Sequence, residues 1–364
     1  MKSAEARWRS TRNSGPMAFM AVLLLICGCG FLQEQSTLGM IGSQFQSITT
    51  EIARAVITKE YGVVNDKEEE YDKIDGKVLV VYSGPTNVGK DSKHPYSAGG
   101  KKNELYFRNF NYFLDHGVDC RAQDTALVIT KEVLPLYETR IKEMDMECQR
   151  HGHKVFLVLR ENRCFDMESM RVVLFESPEI NRSSYDYLVY ANCGTTGPSK
   201  DWPKRPWVNT FTSLLTDKIK MVGLTHHCQG NPHIQSMMYC LDKAGLEVVI
   251  KAKAIFNCHD VNNGTSKEDL SKQHGLVINR YEKGMGRHIV EAGYAIAPFL
   301  RYVSYDKDNA TNCSIKDLWI SSNLKEYYGR IPSLNETLFF KTSRYLSEET
   351  AQEINYTGLR DWNW

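Results

Sequence analysis

An excess of charge of one sign is missing from this chain. Its 364 residues carry 45 Lys and Arg against 44 Asp and Glu, a formal net charge of +1. Proteins whose main partner is nucleic acid concentrate basic residues, so this balance argues against nucleic acid as the main partner. The hydrophobic fraction of 42% is that of an ordinary globular protein. The length allows one large α/β domain or two smaller ones, and no internal repeat is evident.

Closely spaced cysteine pairs are also missing. Eight cysteines follow residue 32, and no Cys-x-x-Cys occurs among them, so their spacing matches no zinc motif. An even number permits disulfides in an oxidising compartment, although the sequence does not give the pairing. These cysteines are Cys120, Cys148, Cys164, Cys193, Cys228, Cys240, Cys258 and Cys313.

One long uncharged run, residues 16–32, lies near the N-terminus. It is shorter than the roughly 20 residues of a typical bilayer span but within reach of a thin membrane. Two interpretations remain open. The run is either a signal peptide cleaved near Gly30 or an uncleaved signal anchor, and the long polar segment that follows favours the anchor. Four basic residues precede the run, namely Lys2, Arg7, Arg9 and Arg12. Their positive charge predicts that the N-terminal residues stay cytosolic.

The anchor interpretation divides the chain into four parts. Residues 1–15 form a cytoplasmic tail, 16–32 a transmembrane segment, 33–75 a polar stem and 76–364 a lumenal domain. Six Asn-x-Ser/Thr sequons after the apolar run suit a glycosylated lumenal surface. They begin at Asn181, Asn263, Asn309, Asn312, Asn335 and Asn355.

Strand-like and helix-like segments alternate through the domain, which predicts βαβ units and a mostly parallel sheet. Continuous apolar runs such as KVLVVY are typical of strands buried on both faces. Strands are predicted at 77–82, 126–130, 155–160, 185–192, 218–224 and 246–250. Helices are predicted at 105–116, 136–150, 167–175, 210–215, 234–243 and 282–292.

Residues 186–198, DYLVYANCGTTGP, begin as a strand and end as a glycine-containing loop. Ligands of open α/β sheets bind at the carboxyl ends of the strands. The loop residues Asn192, Thr195, Thr196 and Gly197 are therefore predicted to bind a ligand. An ordinary strand-ending turn is the alternative.

Polar residues also follow the third predicted strand. Asn162 and Asp166 come just after residues 155–160 and are predicted to contact the same ligand. Asp166 has an alternative role as the cap of the helix that follows it.

Blocks of residues spread through the domain, in a fixed order, carry a resemblance to a known family. They are Arg160-Glu-Asn162, Phe165-Asp166, Tyr185-Asp-Tyr187, Asn192 with Gly197-Pro198, Trp207 with Phe211, Lys220-Met-Val-Gly223, His233-Ile-Gln-Ser236, Asp242 with Gly245-Leu246, Tyr281-Glu282 with Gly293-Tyr294, and Pro332-Ser-Leu-Asn-Glu336 with Phe339-Phe-Lys341. Together they resemble a family of uncharacterised glycosyltransferases of plants, algae and fungi. More distantly they are similar to glycosyltransferases of the rhamnan-synthesis type. The resemblance covers roughly residues 77–356.

The resemblance implies a fold and an activity. The fold is GT-A-like and Rossmann-like, a mostly parallel twisted sheet flanked by helices that binds a nucleotide sugar at the carboxyl ends of its strands. The implied activity is transfer of a sugar from a nucleotide-sugar donor to a glycan or glycoprotein acceptor. With the predicted anchor, stem and sequons, this describes a type II membrane enzyme of the Golgi or endoplasmic reticulum.

The chain departs from the GT-A pattern at the metal site. Those enzymes usually hold Mg²⁺ or Mn²⁺ with an Asp-x-Asp motif after a central strand, whereas the turn here is Asn192-Cys-Gly. Either Asp166 holds the metal, or a cation such as Lys220 or Arg160 neutralises the leaving diphosphate. Metal use is left open by the sequence.

An inverting transferase also needs a carboxylate base for the acceptor hydroxyl. Glu282 and Asp242 are the predicted bases. Their alternatives are a favourable charge in the first turn of a helix for Glu282 and a surface helix position for Asp242. Trp202 and Trp207 are predicted to stack on a sugar face, with core packing as the alternative.

Two rival functions belong to other classes. A catalytically inactive relative would bind glycan or a partner enzyme, and the missing Asp-x-Asp supports it. A thiol enzyme would use Cys193 as its nucleophile, although its loop offers no adjacent histidine.

Overall fold

The part of the chain that can be described lies in the predicted domain. The computed structural model describes residues 74–86, 100–162, 165–200, 202, 206–227, 233–260, 267–299 and 337–342. These residues belong to one compact unit, Tyr71–Trp364. The predicted tail, anchor and nearly all of the stem lie outside the described residues, as do the sequons other than Asn181. Within the described ranges, no helix has the length and apolar character needed to cross a bilayer.

Eleven strands and seven α-helices are found in the described ranges. The strands are β1 Val78–Ser83, β2 Asp124–Thr130, β3 Val155–Arg160, β4 Tyr187–Asn192, β5 Thr195–Thr196, β6 Ile219–Gly223, β7 His226–His227, β8 His233–Ile234, β9 Met238–Asp242, β10 Ala295–Pro298 and β11 Phe340–Lys341. The helices are α1 Gly100–His116, α2 Leu134–Arg150, α3 Glu168–Arg171, α4 Asn209–Thr212, α5 Lys243–Lys251, α6 Lys267–Leu276 and α7 Lys283–Glu291. Single π-helical segments, Val172–Glu176 and Val277–Glu282, extend α3 and precede α7.

Seven of these strands form the central sheet, in the order β10-β6-β9-β4-β1-β2-β3. Strand β9 runs antiparallel to both of its neighbours, and all other pairs in this sheet are parallel. The prediction of a mixed α/β domain with a mostly parallel sheet is confirmed. The chain moves outward from β1 through β2 to β3 and then returns to β4 on the other side of β1. The strand order therefore reverses between β1 and β4, which is where open α/β sheets bind ligands.

Two apolar cores cover the two faces of this sheet. Every residue of β1 and β2 is buried, as expected for strands covered on both sides. On one face, α1 packs its rings on β1, with the Tyr82 and Phe113 centroids 3.9 Å apart. On the other face, Tyr281 and Met285 from the helical segment around α7 pack into the second core. A disulfide between Cys120 and Cys148 joins the loop before β2 to the end of α2, as the cysteine count permitted.

The sequence-based assignment of residues 234–250 is wrong. A helix at 234–243 and a strand at 246–250 were predicted, but the strand β9 comes first and the helix α5 follows it. The β9 side chains alternate into the two cores between β4 and β6. Asp242 then caps α5, since its Oδ1 accepts the Gly245 N–H at 2.8 Å. Gly245 sits inside this helix because a Cβ there would collide with the Lys220 carbonyl oxygen.

Candidate functional site at the carboxyl edge of the sheet

Asp166 and Asn192 meet at the point where the strand order reverses. Asn192 is the last residue of β4 and pairs with Ser83, the last residue of β1. Its Nδ2 donates to Asp166 Oδ2 at 2.5 Å, and the Tyr190 hydroxyl donates to the same oxygen at 3.2 Å. Two side chains that the sequence selected at separate strand ends thus lie in direct contact.

The position of Asp166 follows from how α3 attaches to β1. The Ser83 and Ser169 hydroxyls are hydrogen bonded at 2.8 Å, and both residues are fully buried. Met167 occupies the N-cap position of α3, and no side chain caps this helix. Asp166 is therefore not the cap of α3, and its carboxylate faces Asn192 instead.

Arg160 brings a positive charge to the same edge. It is the last residue of β3, it is 7% exposed, and its Nη1 donates to the Phe165 carbonyl at 3.3 Å. Burial lowers the pKa of the Arg160 guanidinium, and the nearby Asp166 carboxylate opposes that change. Since arginine stays charged even so, the edge holds a buried cation beside a carboxylate.

Two stacked tyrosines extend the site across β9. The rings of Tyr190 and Tyr239 are 5.1 Å apart. Burial raises the pKa of the Tyr239 phenol, and the charges of Asp166 and Glu282 raise it further. Both carboxylates therefore lie within electrostatic range of one phenol. Glu282 is fixed there by the Ser236 N–H, which donates to its Oε1 at 3.1 Å.

Lys220 and Asp242 lie elsewhere. Asp242 pairs with Tyr187, the first residue of β4, so it sits at the amino edge of the sheet. At about 3.3 Å per residue it is roughly 16 Å along the strand from Asn192. Lys220 Nζ and Asp242 Oδ2 form an ion pair at 2.7 Å, and Asp242 also caps α5. As a pair they join β6, β9 and α5, which leaves Glu282 as the predicted base at the carboxyl edge.

The loop after β4 is covered rather than open. Thr195 and Thr196 are 1% and 0% exposed and pair with β11. Gly197 has φ +143°, and a Cβ there would lie 2.5 Å from the Phe339 ring. These three residues were predicted to bind ligand, but they are covered by the segment that contains Phe339 and β11.

Trp207 belongs to the core, the alternative considered for it. Its ring is fully buried among Phe113, Phe211 and Phe339, and its Nε1 donates to the Gly117 carbonyl at 2.9 Å. A sugar cannot stack on this ring without opening that cluster. Trp202 is also buried, with its Nε1 donating to Thr210 Oγ1.

Three other predicted residues have clear placements. Asn162 is half-buried in the loop that follows β3, and Asn181 is exposed. Cys193 is buried and free of disulfide bonding, and burial raises the pKa of its thiol. Because the thiolate is the nucleophile, this environment disfavours a thiol enzyme.

A divalent cation finds few ligands in the described part of this edge. Mg²⁺ and Mn²⁺ prefer several oxygen ligands. Asp166 Oδ2 already accepts two hydrogen bonds, and Asn192 Oδ1 accepts the Gly194 N–H at 3.0 Å. Across the described ranges, no group of three or more His, Cys, Asp or Glu side chains is arranged to hold a metal ion. The use of a cation is left open.

Several site residues were not selected from the sequence. Ser83 and Ser169 position α3. Tyr239, stacked on Tyr190, lies within electrostatic range of both the Asp166 and the Glu282 carboxylates. Tyr106 on α1 also lies within electrostatic range of Asp166. The position of Ser83 at the end of a buried strand is a signal that could have identified it, whereas the others are brought in by tertiary packing.

Comparison with known proteins gives only remote likenesses. The glycosyltransferase GlyE of Streptococcus pneumoniae TIGR4 is 12% identical, over 57% of this chain and 44% of its own, with a TM-score of 0.31. A nucleoside-diphosphate-sugar pyrophosphorylase from Vibrio cholerae RC9 is 10% identical, over 61% of this chain and 91% of its own, with a TM-score of 0.32. The inositol-1-phosphate CTP transferase of T. maritima is 9% identical, over 62% of this chain and 87% of its own, with a TM-score of 0.31.

These likenesses do not decide the function. The aligned part of this chain spans less than half of the GlyE chain. No protein-family profile matches the chain, and no curated protein sequence matches it. No such match therefore supports the narrower resemblance to rhamnan-synthesis enzymes. The structural neighbours are named as a glycosyltransferase, a nucleoside-diphosphate-sugar pyrophosphorylase and a CTP transferase, and likenesses this remote carry no argument about function.

Proposed function

We propose that the chain is a glycosyltransferase that binds its nucleotide-sugar donor at the carboxyl edge of the sheet. The observation that carries this proposal is the meeting of Asp166 and Asn192 at the β1–β4 switch point, with Arg160 buried beside them. The ordered sequence blocks support the choice of a nucleotide sugar, as does the mostly parallel sheet of a GT-A-like, Rossmann-like domain. The narrower kinship to rhamnan-synthesis enzymes remains part of the proposal.

Arg160 supplies the charge that the leaving group requires. When the bond between the anomeric carbon and the donor phosphate breaks, the nucleoside diphosphate gains negative charge. A guanidinium held in a buried site stabilises that charge strongly and can bind two phosphate oxygens at once. A divalent cation, where one is bound, would add a second positive charge, with Asp166 as the described residue that would hold it.

Glu282 is the proposed base. Its carboxylate is oriented by a hydrogen bond from the Ser236 N–H. Like the Asp166 carboxylate, it lies within electrostatic range of the Tyr239 phenol. In an inverting reaction it would take the proton of the acceptor hydroxyl as that oxygen attacks the anomeric carbon. Asn162 and Asn192 would supply hydrogen bonds to the donor.

A secretory address completes the proposal. The basic tail and the uncharged run at 16–32 support a single-pass type II anchor in the Golgi or endoplasmic reticulum, and the sequons support a lumenal domain. The Cys120–Cys148 disulfide is in keeping with an oxidising lumen. The acceptor is then a glycan or glycoprotein.

Nucleotide-sugar hydrolysis by the purified full-length protein tests the activity. The donor is chosen by a thermal-shift screen, because ligand binding raises the melting temperature by mass action. Parallel samples contain Mn²⁺ or lack it, and we expect turnover in at least one of them. The kcat should fall about 100-fold in Glu282→Gln. Asp242→Asn is the matched control at the amino edge and should keep wild-type kcat. Binding without turnover under any condition would instead favour the inactive relative.

A further inference from the structure

The buried carboxamide of Asn109 joins three distant segments. Asn109 lies on α1 and is 1% exposed. Its Nδ2 donates to the Cys193 carbonyl at 2.8 Å and to Thr342 Oγ1 at 2.6 Å. One side chain thus connects α1, the turn between β4 and β5, and Thr342, the residue after β11.

The β11 segment holds the same turn from its other side. Thr342 N–H donates to the Gly194 carbonyl at 3.0 Å, and its hydroxyl approaches that carbonyl at 3.4 Å. Strand β11 pairs with β5, and the Ser199 N–H donates to the Leu338 carbonyl at 2.8 Å. The turn is therefore held by a segment far along the chain, since Thr342 lies 148 positions from Gly194.

This turn in turn orients the side chain of Asn192. The Gly194 N–H donates to Asn192 Oδ1 at 3.0 Å, which leaves Nδ2 directed at Asp166. The Thr195 hydroxyl donates to the Asn192 carbonyl at 2.8 Å. A shift of Gly194 would rotate the carboxamide and break its bond to the carboxylate.

We infer that Asn109 is a positioning residue, which clamps β11 onto the β4–β5 turn and so keeps the Asn192 carboxamide on Asp166. It acts through the Cys193 carbonyl and the Thr342 hydroxyl and does not itself reach the carboxyl-edge pair. The consequence for donor binding rests on the proposed function, whereas the coupling between Asn109 and Asn192 does not.

A double-mutant cycle tests the coupling without any ligand. Asn109→Asp keeps the shape of the side chain, and its ionised carboxylate has no proton to donate to the Cys193 carbonyl. In the full-length protein, we expect Asn109→Asp and Asn192→Ala each to lower the denaturant midpoint, and the double variant to lower it by clearly less than the sum. Asn111→Asp, on the same helix but bonded to Arg140, should be additive with Asn192→Ala. Additivity for Asn109 would overturn the inference.

A second variant covers the case in which Asn109→Asp does not fold. Thr342→Val removes the hydroxyl that accepts from Asn109 and leaves the backbone pairing of β11 in place. It should show the same less-than-additive effect with Asn192→Ala. If this cycle is additive, the clamp does not exist.

Nucleotide binding separates this inference from the proposed function. UDP and GDP are titrated separately, and we expect about tenfold weaker binding of the preferred nucleotide by Asn109→Asp or Thr342→Val, with Asn111→Asp unchanged. Wild-type affinity in a folded, coupled variant would overturn the consequence of this clamp for donor binding. If the wild type binds neither nucleotide while the cycle still shows coupling, the positioning of Asn192 stands and the proposed function fails.

Discussion

The two edges of the sheet each place an aspartate beside a tyrosine hydroxyl and a cation, Asp124 fully buried and Asp166 half-buried, yet the two carboxylates are bonded differently. At the amino edge, both carboxylate oxygens of Asp124 accept hydrogen bonds. Oδ1 accepts the Lys154 N–H at 3.0 Å, and Oδ2 accepts the Tyr185 hydroxyl at 2.8 Å and the Lys77 ammonium at 3.0 Å. At the carboxyl edge, the hydrogen bonds that the described residues donate to the Asp166 carboxylate fall on Oδ2 alone.

That difference separates a structural carboxylate from one suited to a ligand. Burial would raise the pKa of the Asp124 carboxyl, but the hydrogen bonds from Tyr185, Lys77 and the Lys154 N–H together lower it. A group held this way ties strand beginnings together. The Lys220–Asp242 pair is of the same kind, since it joins β6 to the start of α5. The amino edge is a structural seam, and the carboxyl edge is the side on which chemistry is proposed.

Asp166→Asn should break the carboxyl edge alone. We expect kcat/KM for nucleotide-sugar hydrolysis to fall roughly 100-fold, because the variant removes the negative charge that would hold a divalent cation beside the donor phosphates. The free energy of unfolding should change by less than about 1 kcal/mol, since Asn192 and Tyr190 retain a neutral acceptor. Steady-state kinetics and urea denaturation measure the two quantities. Normal kinetics in this variant would remove Asp166 from the site.

Asp124→Asn should have the opposite pattern of effects, a loss of stability with little change in nucleotide affinity. The free energy of unfolding should fall by about 2 kcal/mol, because the bonds to Lys77 and Tyr185 lose a charged acceptor. Nucleotide affinity should stay within twofold of wild type, as a thermal-shift titration can show. A loss of affinity at constant stability would mean that the edges do not have separate roles.

The pH dependence of stability sharpens this prediction. The pKa of Asp124 is lower in the folded state, so its contribution is complete above the unfolded carboxyl pKa of about 3.9 and is lost as the pH falls through the folded value. We expect the unfolding free energy of the wild type to decline below about pH 4, and the slope to be shallower in Asp124→Asn. Equal slopes in urea denaturation series would show that another carboxyl dominates.

Arg160→Met tests the cation of the carboxyl edge. The KM for the donor should rise about tenfold, because a charge-assisted bond to phosphate contributes on the order of 1.5 kcal/mol. Arg171→Met is the matched control. That arginine binds Glu168 and Glu176 on α3 and the π-helical turn after it, and its loss should leave KM unchanged. An unchanged KM in Arg160→Met would mean that phosphate is bound elsewhere.

Lys220→Met should have the smallest effect. The loss of its ion pair with Asp242 should cost about 1 kcal/mol, because the carboxylate keeps its bond to the Gly245 N–H. Donor KM should not change. An increase in KM comparable to that of Arg160→Met would restore Lys220 as a phosphate ligand.

The parts of the fold predicted from sequence are those with a strong local pattern. The buried strands β1 to β4 and the helices α1 and α2 were placed within a few residues, because continuous apolar runs and helical spacing are local signals. The helix and strand assignments of residues 234–250 were exchanged because short apolar segments fit both helical and strand periodicity. The neighbouring strands β4 and β6 decide that β9 is a strand.

The site shows the same division. The contact between Asp166 and Asn192 could be anticipated, since Asn192 ends one parallel strand and Asp166 follows another that ends at the same edge. The position of Asp242 could not, because it depends on β9 running antiparallel, which turns its last residue to the opposite edge. The burial of Thr195, Thr196 and Trp207 depends on the segment 337–342, which folds over them from far along the chain.

Hydrogen exchange of the full-length protein with and without its preferred nucleotide tests the central claim most directly. Peptides covering 165–170 and 190–194 should exchange more slowly when the nucleotide is bound, and peptides covering 154–156 and 242–246 should not change. Protection at the amino edge, with none at the carboxyl edge, would contradict the assignment of the site.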